Sequence, residues 1–290
     1  MVVAHRGASS AIAEHTLGAY VAAIRSGADG LECDVRLTRD GYLICVHDRT
    51  VNRTSDGTGV VSEFDLQGLE QLNFSSWHTD QAGSAAEPIG GSPYLAGVAP
   101  DLAEDNRVLT LERLLELVAD TSPPVRLLIE TKHPTRYGGL VEKELVELLD
   151  RFGWAGRPGP PKSSRQPANM DSRVAVMSFA PTAIRRVRLL APDVPTVLLL
   201  EWQLPVRQER LLPTGVAIAG PGLHLLRGDP GFVERAHARG YRVYVWTVDQ
   251  PEDIDFVRRL GVDTIISNTP RTVIARLDAT PGPGSVTPQR

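Results

Sequence analysis

The stretch from Val2 to Asp48, VVAHRGASSAIAEHTLGAYVAAIRSGADGLECDVRLTRDGYLICVHD, contains the repeating unit from which the rest of the chain is built. It opens on a short apolar run, Val2–His5, that ends in the polar triplet His5-Arg6-Gly7. A helical pattern follows, and then a second short run, Gly30–Asp34, carrying Glu32 and Asp34. Runs this short are predicted strands, because a helix needs ten residues or so to bury a face. From Leu37 to Val46 the pattern doubles back about Arg39-Asp40-Gly41, which predicts a β-hairpin.

Outward from that stretch the alternation of short apolar runs and helical patterns continues. Further strands are predicted at Val125–Glu130, Arg173–Ser178, Thr196–Leu200, Val216–Ala219, Arg242–Trp246 and Thr264–Ser267, which brings the total to eight. Val141, Leu145, Leu148, Leu149 and Phe152 lie on one helical stripe, as do Leu111, Leu114, Leu115 and Val118. Asp229-Pro230 and Thr269-Pro270 each predict a capping side chain followed by proline at the first helical position. Gly240 and Gly261 stand where helices should stop. Eight strands with helices between them predict a TIM-type (β/α)₈ barrel with an extra hairpin after the second strand. An open doubly wound sheet is the alternative, disfavoured because no GxGxxG turn follows the first strand.

Three segments fall outside the repeat. Residues from about 74 to 108 form an insertion containing Trp77 and Tyr94, too long for a plain connection. Residues from about 155 to 170 are predicted to be a flexible surface loop, and residues 280–290 a disordered tail. Residues 1–279 are expected to make a single catalytic barrel domain.

Composition narrows the partners. A chain of 290 residues that is 42% hydrophobic can bury a large core, and its formal net charge of -4 argues against nucleic acid as a partner. No run of about 18 apolar residues occurs, so no membrane span is predicted. No basic segment leads into an apolar stretch at the N-terminus, and the expected location is cytoplasmic. Cys33 and Cys45 are too few for a disulfide framework and lack the spacing of zinc ligands, so both are expected to be buried thiols.

Active sites of parallel barrels lie at the C-terminal ends of the strands. The first strand ends in His5-Arg6, the second carries Glu32 and Asp34 on one face, and the third ends in Glu130-Thr131-Lys132. The returning hairpin is expected to bring His47 to the height of Glu32 and Asp34. Three carboxylates without a histidine or cysteine ligand favour a hard cation, Mg²⁺ or Ca²⁺, over Zn²⁺. Such a cation can polarise a phosphoryl oxygen, while His5 and His47 suit general acid-base work near neutral pH. Arg6 and Lys132 could neutralise charge on a phosphate.

The same residues carry a family resemblance. The stretch His5–Asp48 resembles the signature of the glycerophosphodiester phosphodiesterase family, of the cytoplasmic bacterial type. Its HRG opening, E-x-T before a helix, GAD-x-x-E-x-DV, T-x-DG and closing HD all match. Thr54, Gly57-Thr58-Gly59, Glu130-Thr131-Lys132 and Trp246-Thr247-Val248 match further segments, so the likeness spans residues 2 to about 275.

The resemblance implies a metal-dependent enzyme that cleaves small glycerophosphodiesters to glycerol 3-phosphate and an alcohol. It implies Glu32, Asp34 and Glu130 as ligands to one divalent cation, His5 and His47 as the acid-base pair, and Arg6 and Lys132 as phosphate contacts. Trp246 is expected to wall the substrate glycerol. The preferred alcohol, the choice between Mg²⁺ and Ca²⁺ and the oligomeric state stay open.

Two departures stand out. His15 replaces the usual Asn, and Ser267-Asn268 replaces a frequent Thr-Asp. His15 is expected to be a structural helix-entry residue, and His78, His133, His224 and His237 ordinary histidines outside the chemistry. A sphingomyelinase D-like phospholipase would bring a secretion signal and disulfides, which the sequence lacks. A catalytically inactive phosphodiester-binding barrel would have lost a ligand or an acid-base residue, and every expected one is present.

Overall fold

The structure is a computed structural model and describes residues 1–81, 106–156, 168–201, 212–213 and 215–279. Nine strands form one sheet: β1 (Val2–His5), β2 (Gly30–Leu37), β3 (Leu43–Cys45), β4 (Arg126–Thr131), β5 (Val174–Ser178), β6 (Thr196–Leu200), β7 (Ile218–Pro221), β8 (Arg242–Val245) and β9 (Thr264–Ser267). Each strand from β4 to β9 pairs in parallel with its predecessor in the ring, β4 pairs with β2, and β1 pairs with both β2 and β9. Eight parallel strands therefore close into a barrel, and β3 lies outside the ring, antiparallel to β2.

Closure follows from the side-chain period of two. One face of each strand points into the barrel, where Val3, Leu128, Ala175, Met177, Val197, Leu199, Ile218, Tyr244 and Ile266 form a buried cluster. The opposite faces meet the helices. Leu31, Cys33, Val35, Leu127 and Ile129 pack in one cluster with Tyr20 of α1 (Leu17–Arg25) and Leu114 of α2 (Leu111–Ala119). Leu145 and Leu149 of α3 (Leu140–Arg151) belong to the same cluster and are fully buried. Burying each such leucine contributes roughly 1.5–3 kcal/mol, and Leu145→Ala would cost about 2–5 kcal/mol. Val243, Val245 and Ile265 meet Ile254, Val257 and Val273 on the other side.

The hairpin forms as the sequence predicts, with β2 running on unbroken to Leu37. Thr38 N–H donates to Tyr42 O at 2.9 Å, and Gly41 takes a φ of 92°, which its missing Cβ allows. Phe74 and Val108, at the two ends of the predicted insertion, pack beneath it against Ile44, Val46 and Val51. Residues 82–105 of that insertion, Tyr94 included, lie outside the described residues, as do most of the 155–170 loop and the whole of the 280–290 tail.

Several boundaries move. The predicted strand at Val216–Ala219 runs from Ile218 to Pro221, because Val216 N–H turns back to Pro213 O. Asp229 does not cap a following helix. It ends the short helix Leu223–Gly228, and the next one, Phe232–His237, starts after Gly231, so two helices abut where the sequence suggested one. Pro270 does open the last helix, but the Thr269 hydroxyl turns to Ser267 and Asp249 instead of capping it. Gly261 closes its helix in the left-handed conformation, and Gly240 follows its helix with a φ of 77°.

Candidate active site

The inward faces that fill the barrel continue, two residues at a time, into its mouth. Val3 leads to His5, Leu128 to Glu130, Met177 to Phe179, Leu199 to Glu201 and Tyr244 to Trp246. Except for Val3, Leu128 and Tyr244, these side chains, with Arg6, Glu32, His47 and Lys132, line a cavity of about 270 Å³. Strand register sets the polar cluster: His5 is paired with Glu32, and Asp34 with Glu130. The hairpin supplies His47, for Val46 N–H donates to Asp34 O at 3.0 Å and the Arg36 guanidinium clasps His47 O at 2.9 and 3.0 Å.

Leaving β1, the chain turns sharply through Arg6 and Gly7, with φ of 58° and 85°. A Cβ on Gly7 would come within 2.7 Å of Ala19, so only glycine lets α1 pack this close. The turn aims Arg6 N–H at Glu32 Oε2 (3.1 Å) and sets the Arg6 guanidinium Nε 2.9 Å from Asp34 Oδ2. Lys132 Nζ lies 2.9 Å from Glu130 Oε1 and 3.2 Å from Asp34 Oδ1.

Carboxylate oxygens of Glu32, Asp34 and Glu130 fall within 4.8 Å of one another, and all three residues are buried. Asp34 Oδ1 is buried without a hydrogen-bond partner, although Lys132 is near. Burial, followed by the charge of Asp34, pushes Glu130 up to about 8, and the same two causes raise Glu32 well above the usual carboxylate range. Burial would raise Asp34 as well, but the His15 hydrogen bond and the charges of Lys132 and Arg6 outweigh it, and its carboxyl is held low. Two fixed cations do not offset three buried carboxylates. An all-oxygen donor set with an orphaned oxygen fits a hard divalent cation.

The two histidines differ in setting. His5 is buried, and loss of solvent together with the Arg6 charge lowers it to about 4, so its imidazole is neutral at pH 7. His5 Nε2 stands 3.9 Å from Glu32 Oε2. His47 is half-exposed at the rim, with Nδ1 2.7 Å from Asp48 Oδ1, and burial also lowers it. Asp48 accepts from Arg53, and Arg53 also holds Glu14, which accepts from Arg6. This chain of ion pairs ties the two histidine loops together; Glu14 belongs to the E-x-T match, whereas Arg53 carries no signal in the sequence that would single it out.

Of the residues predicted for the site, all but Trp246 are therefore brought to one rim. Trp246 stands on the opposite wall, in edge-to-face contact with Phe179 (centroids 5.4 Å apart), and its indole N–H donates to Gly220 O. His15 enters the helix as expected, at a φ of 61°, but it also touches the site: Nε2 is 3.0 Å from Asp34 Oδ2 and Nδ1 2.8 Å from the Tyr20 hydroxyl. His133 faces away, against buried Glu142 at 2.5 Å. Sequence reasoning missed Phe179, Glu201 and Met177, whose neighbours carry no motif, and it marked Asn268 only as a departure, not as the partner of Asp249 beside His5.

A barrel with acidic, imidazole and basic groups gathered at one strand-end rim is the frame of a phosphodiester-cleaving enzyme, and the sequence comparisons narrow the class. The model of the glycerophosphoryl diester phosphodiesterase family matches residues 5–272, and the chain belongs to that family. It is a phosphoric diester hydrolase of the glycerophosphodiester phosphodiesterase type. It is 45% identical over 278 residues to a probable glycerophosphodiester phosphodiesterase 1 of Mycobacterium tuberculosis, covering 96% of this chain and 92% of that one. A glycerophosphodiester phosphodiesterase of Caldanaerobacter subterraneus is 30% identical over 282 residues, with 94% and 96% covered. Among solved structures, an Oleispira antarctica phosphodiesterase in complex with its product sn-glycerol-3-phosphate has the same fold, with a TM-score of 0.76, 23% identity and 96% of both chains covered. Among the described residues no helix is long and apolar enough to cross a membrane.

Proposed function

We propose that this enzyme hydrolyses glycerophosphodiesters to glycerol 3-phosphate and an alcohol with the help of one divalent cation, Mg²⁺ or Ca²⁺, in the cytoplasm. The observation that carries this reading is the convergence of two imidazoles, three carboxylates, a guanidinium and an ammonium on one cavity. Glu32, Asp34 and Glu130 hold the cation, which supplies Lewis-acid polarisation of a phosphoryl oxygen. Arg6 and Lys132 bind the remaining phosphoryl oxygens and offset charge that grows as phosphorus is attacked.

His5, neutral at pH 7, takes the proton from a hydroxyl of the glycerol moiety as that oxygen attacks phosphorus. A tethered nucleophile gains a large effective molarity over free water. The bond from phosphorus to the alcohol breaks, and His47 gives its proton to the departing oxygen. Asp48 steadies the His47 imidazolium through Nδ1, and the lowered pKa of His47 makes the protonated ring a readier donor. Water then opens the cyclic phosphate with the two roles exchanged. Trp246 and Phe179 wall the glycerol and keep water from the reacting centre.

The reading is supported by the name of the Mycobacterium tuberculosis relative and by the product held in the Oleispira antarctica structure. The test is release of glycerol 3-phosphate from glycerophosphocholine and glycerophosphoethanolamine by EDTA-treated protein, with Mg²⁺ or Ca²⁺ added back separately. Cation-restored release is expected. Release that persists in EDTA would remove the cation from the reading, and no release under any condition would remove the substrate class.

A further inference from the structure

His5 has a second nitrogen, and the surroundings of that nitrogen decide which tautomer the ring adopts. His5 Nδ1 lies 2.8 Å from Asn268 Oδ1, at the end of β9. Which end of the Asn268 amide faces His5 is settled by its other neighbour. Asn268 Nδ2 donates to Asp249 Oδ2 at 2.7 Å, and a carboxylate oxygen can only accept. Asp249 is itself fixed, because its Oδ1 accepts from the Ser267 hydroxyl at 2.9 Å and from Asn268 N–H at 2.8 Å. The amide oxygen therefore points at His5, and the Ser9 hydroxyl reaches that same oxygen at 2.8 Å and His5 O at 2.7 Å. Ser10 N–H donates to Asn268 O at 3.2 Å, pinning the turn after β1 to the end of β9.

An oxygen held in this way can only accept from an imidazole, so Nδ1 must carry the proton. In a neutral ring that leaves the lone pair on Nε2, the nitrogen that faces Glu32 and the cavity. We propose that Asn268, oriented by Asp249, is a positioning residue that locks His5 in the Nδ1–H tautomer and so makes Nε2 the atom that accepts the substrate proton. The relay is Asp249 carboxylate, Asn268 amide, His5 imidazole, a neutral amide standing between the charge and the base. The inference rests on the proposed role of His5, but the tautomer itself can be read without turnover.

The experiment is ¹⁵N NMR of imidazole-labelled wild-type protein with Mg²⁺ present, assigning the His5 signals by their absence in His5→Gln. A pyrrole-type Nδ1 and a pyridine-type Nε2 are expected. A protonated Nε2 in the neutral ring would overturn the proposal whatever any variant does. Asn268→Ala should let the two tautomers mix and lower kcat by roughly 10- to 100-fold with KM within about twofold. Asn268→Asp retains an acceptor at the same place and should keep the Nδ1–H signal. Loss of kcat in Asn268→Ala with an unchanged His5 spectrum would assign the residue a structural role only. If wild-type protein cleaves no glycerophosphodiester while His5 shows the Nδ1–H form, the substrate reading fails and the tautomer lock stands.

Discussion

The rim built by β1, β2, β4 and the hairpin differs in kind from the rim built by β5, β6, β8 and β9. On the first, every side chain that lines the cavity is charged or titratable: His5, Arg6, Glu32, His47, Glu130 and Lys132. Across from it stand Met177, Phe179, Leu199, Trp246 and Ile266, with Glu201 at the margin. The polar half is expensive to assemble, because buried carboxylates and cations lose their water. It is held by cross-linking: Arg6, Lys132 and His15 converge on Asp34, and Glu14 and Arg53 bind the two histidine loops. The apolar half is an extension of the barrel interior and gains from burial. One side of the site can act on a phosphate, and the other can shape and dry the space next to it.

Deleting an imidazole from the polar half should have the largest effect. His5→Ala or His47→Ala is expected to slow turnover by about 10²- to 10⁴-fold without loss of the fold, as circular dichroism would verify. Wild-type rates in either variant would strike that residue from the mechanism.

A step smaller is the support behind the carboxylates. His15→Leu removes the hydrogen bond to Asp34 and should weaken the cation by roughly 10- to 100-fold in a titration of activity against added Mg²⁺. An unmoved titration would return His15 to a purely structural role.

The electrostatic cost of the polar half should also appear in stability. Without a cation, native Glu130 keeps its proton up to about 8, while the unfolded chain loses it near the ordinary value of 4.5. Between those pH values the native state binds more protons, so its stability is full below the lower value and falls as pH rises towards the upper one. Melting in EDTA should therefore drop by a few degrees across that window, and added Mg²⁺ should restore most at its alkaline end. A flat profile would mean that Lys132 and Arg6 neutralise the cluster alone.

On the apolar half the consequences should be mild. Trp246→Leu gives up an aromatic contact worth about 0.5–1.5 kcal/mol and should raise KM by roughly two- to tenfold with kcat little changed. A collapse of kcat instead would show that this wall takes part in alignment, and the contrast between the halves would weaken.

The same division governs how much could be told in advance. The polar half was legible because its residues sit two apart on strands or directly at strand ends, in the two motif-bearing segments 5–48 and 130–132. His5, Glu32, Asp34, His47, Glu130 and Lys132 all stand within a few residues of a predicted strand terminus. Helix starts were less legible. Asp229-Pro230 has the composition of a cap, but packing splits that segment into two short helices, and local propensity does not decide where a chain must turn to stay on the barrel.

What the sequence by itself determined is the set of groups and the class of fold: a period of two on short strands, a period near 3.6 between them, and polar residues clustered at strand ends. Tertiary structure alone decided how those groups meet. Ring closure brings β9 against β1, so Asn268 reaches His5 across a separation of 263 residues and orients its imidazole. Packing of the turn before α1 against β2 sets His15 on Asp34, and ring closure sets Phe179 against Trp246. Hydrogen-bond direction and ring contact depend on distances of a few ångströms between strands far apart in the chain, and no local pattern of residues encodes them.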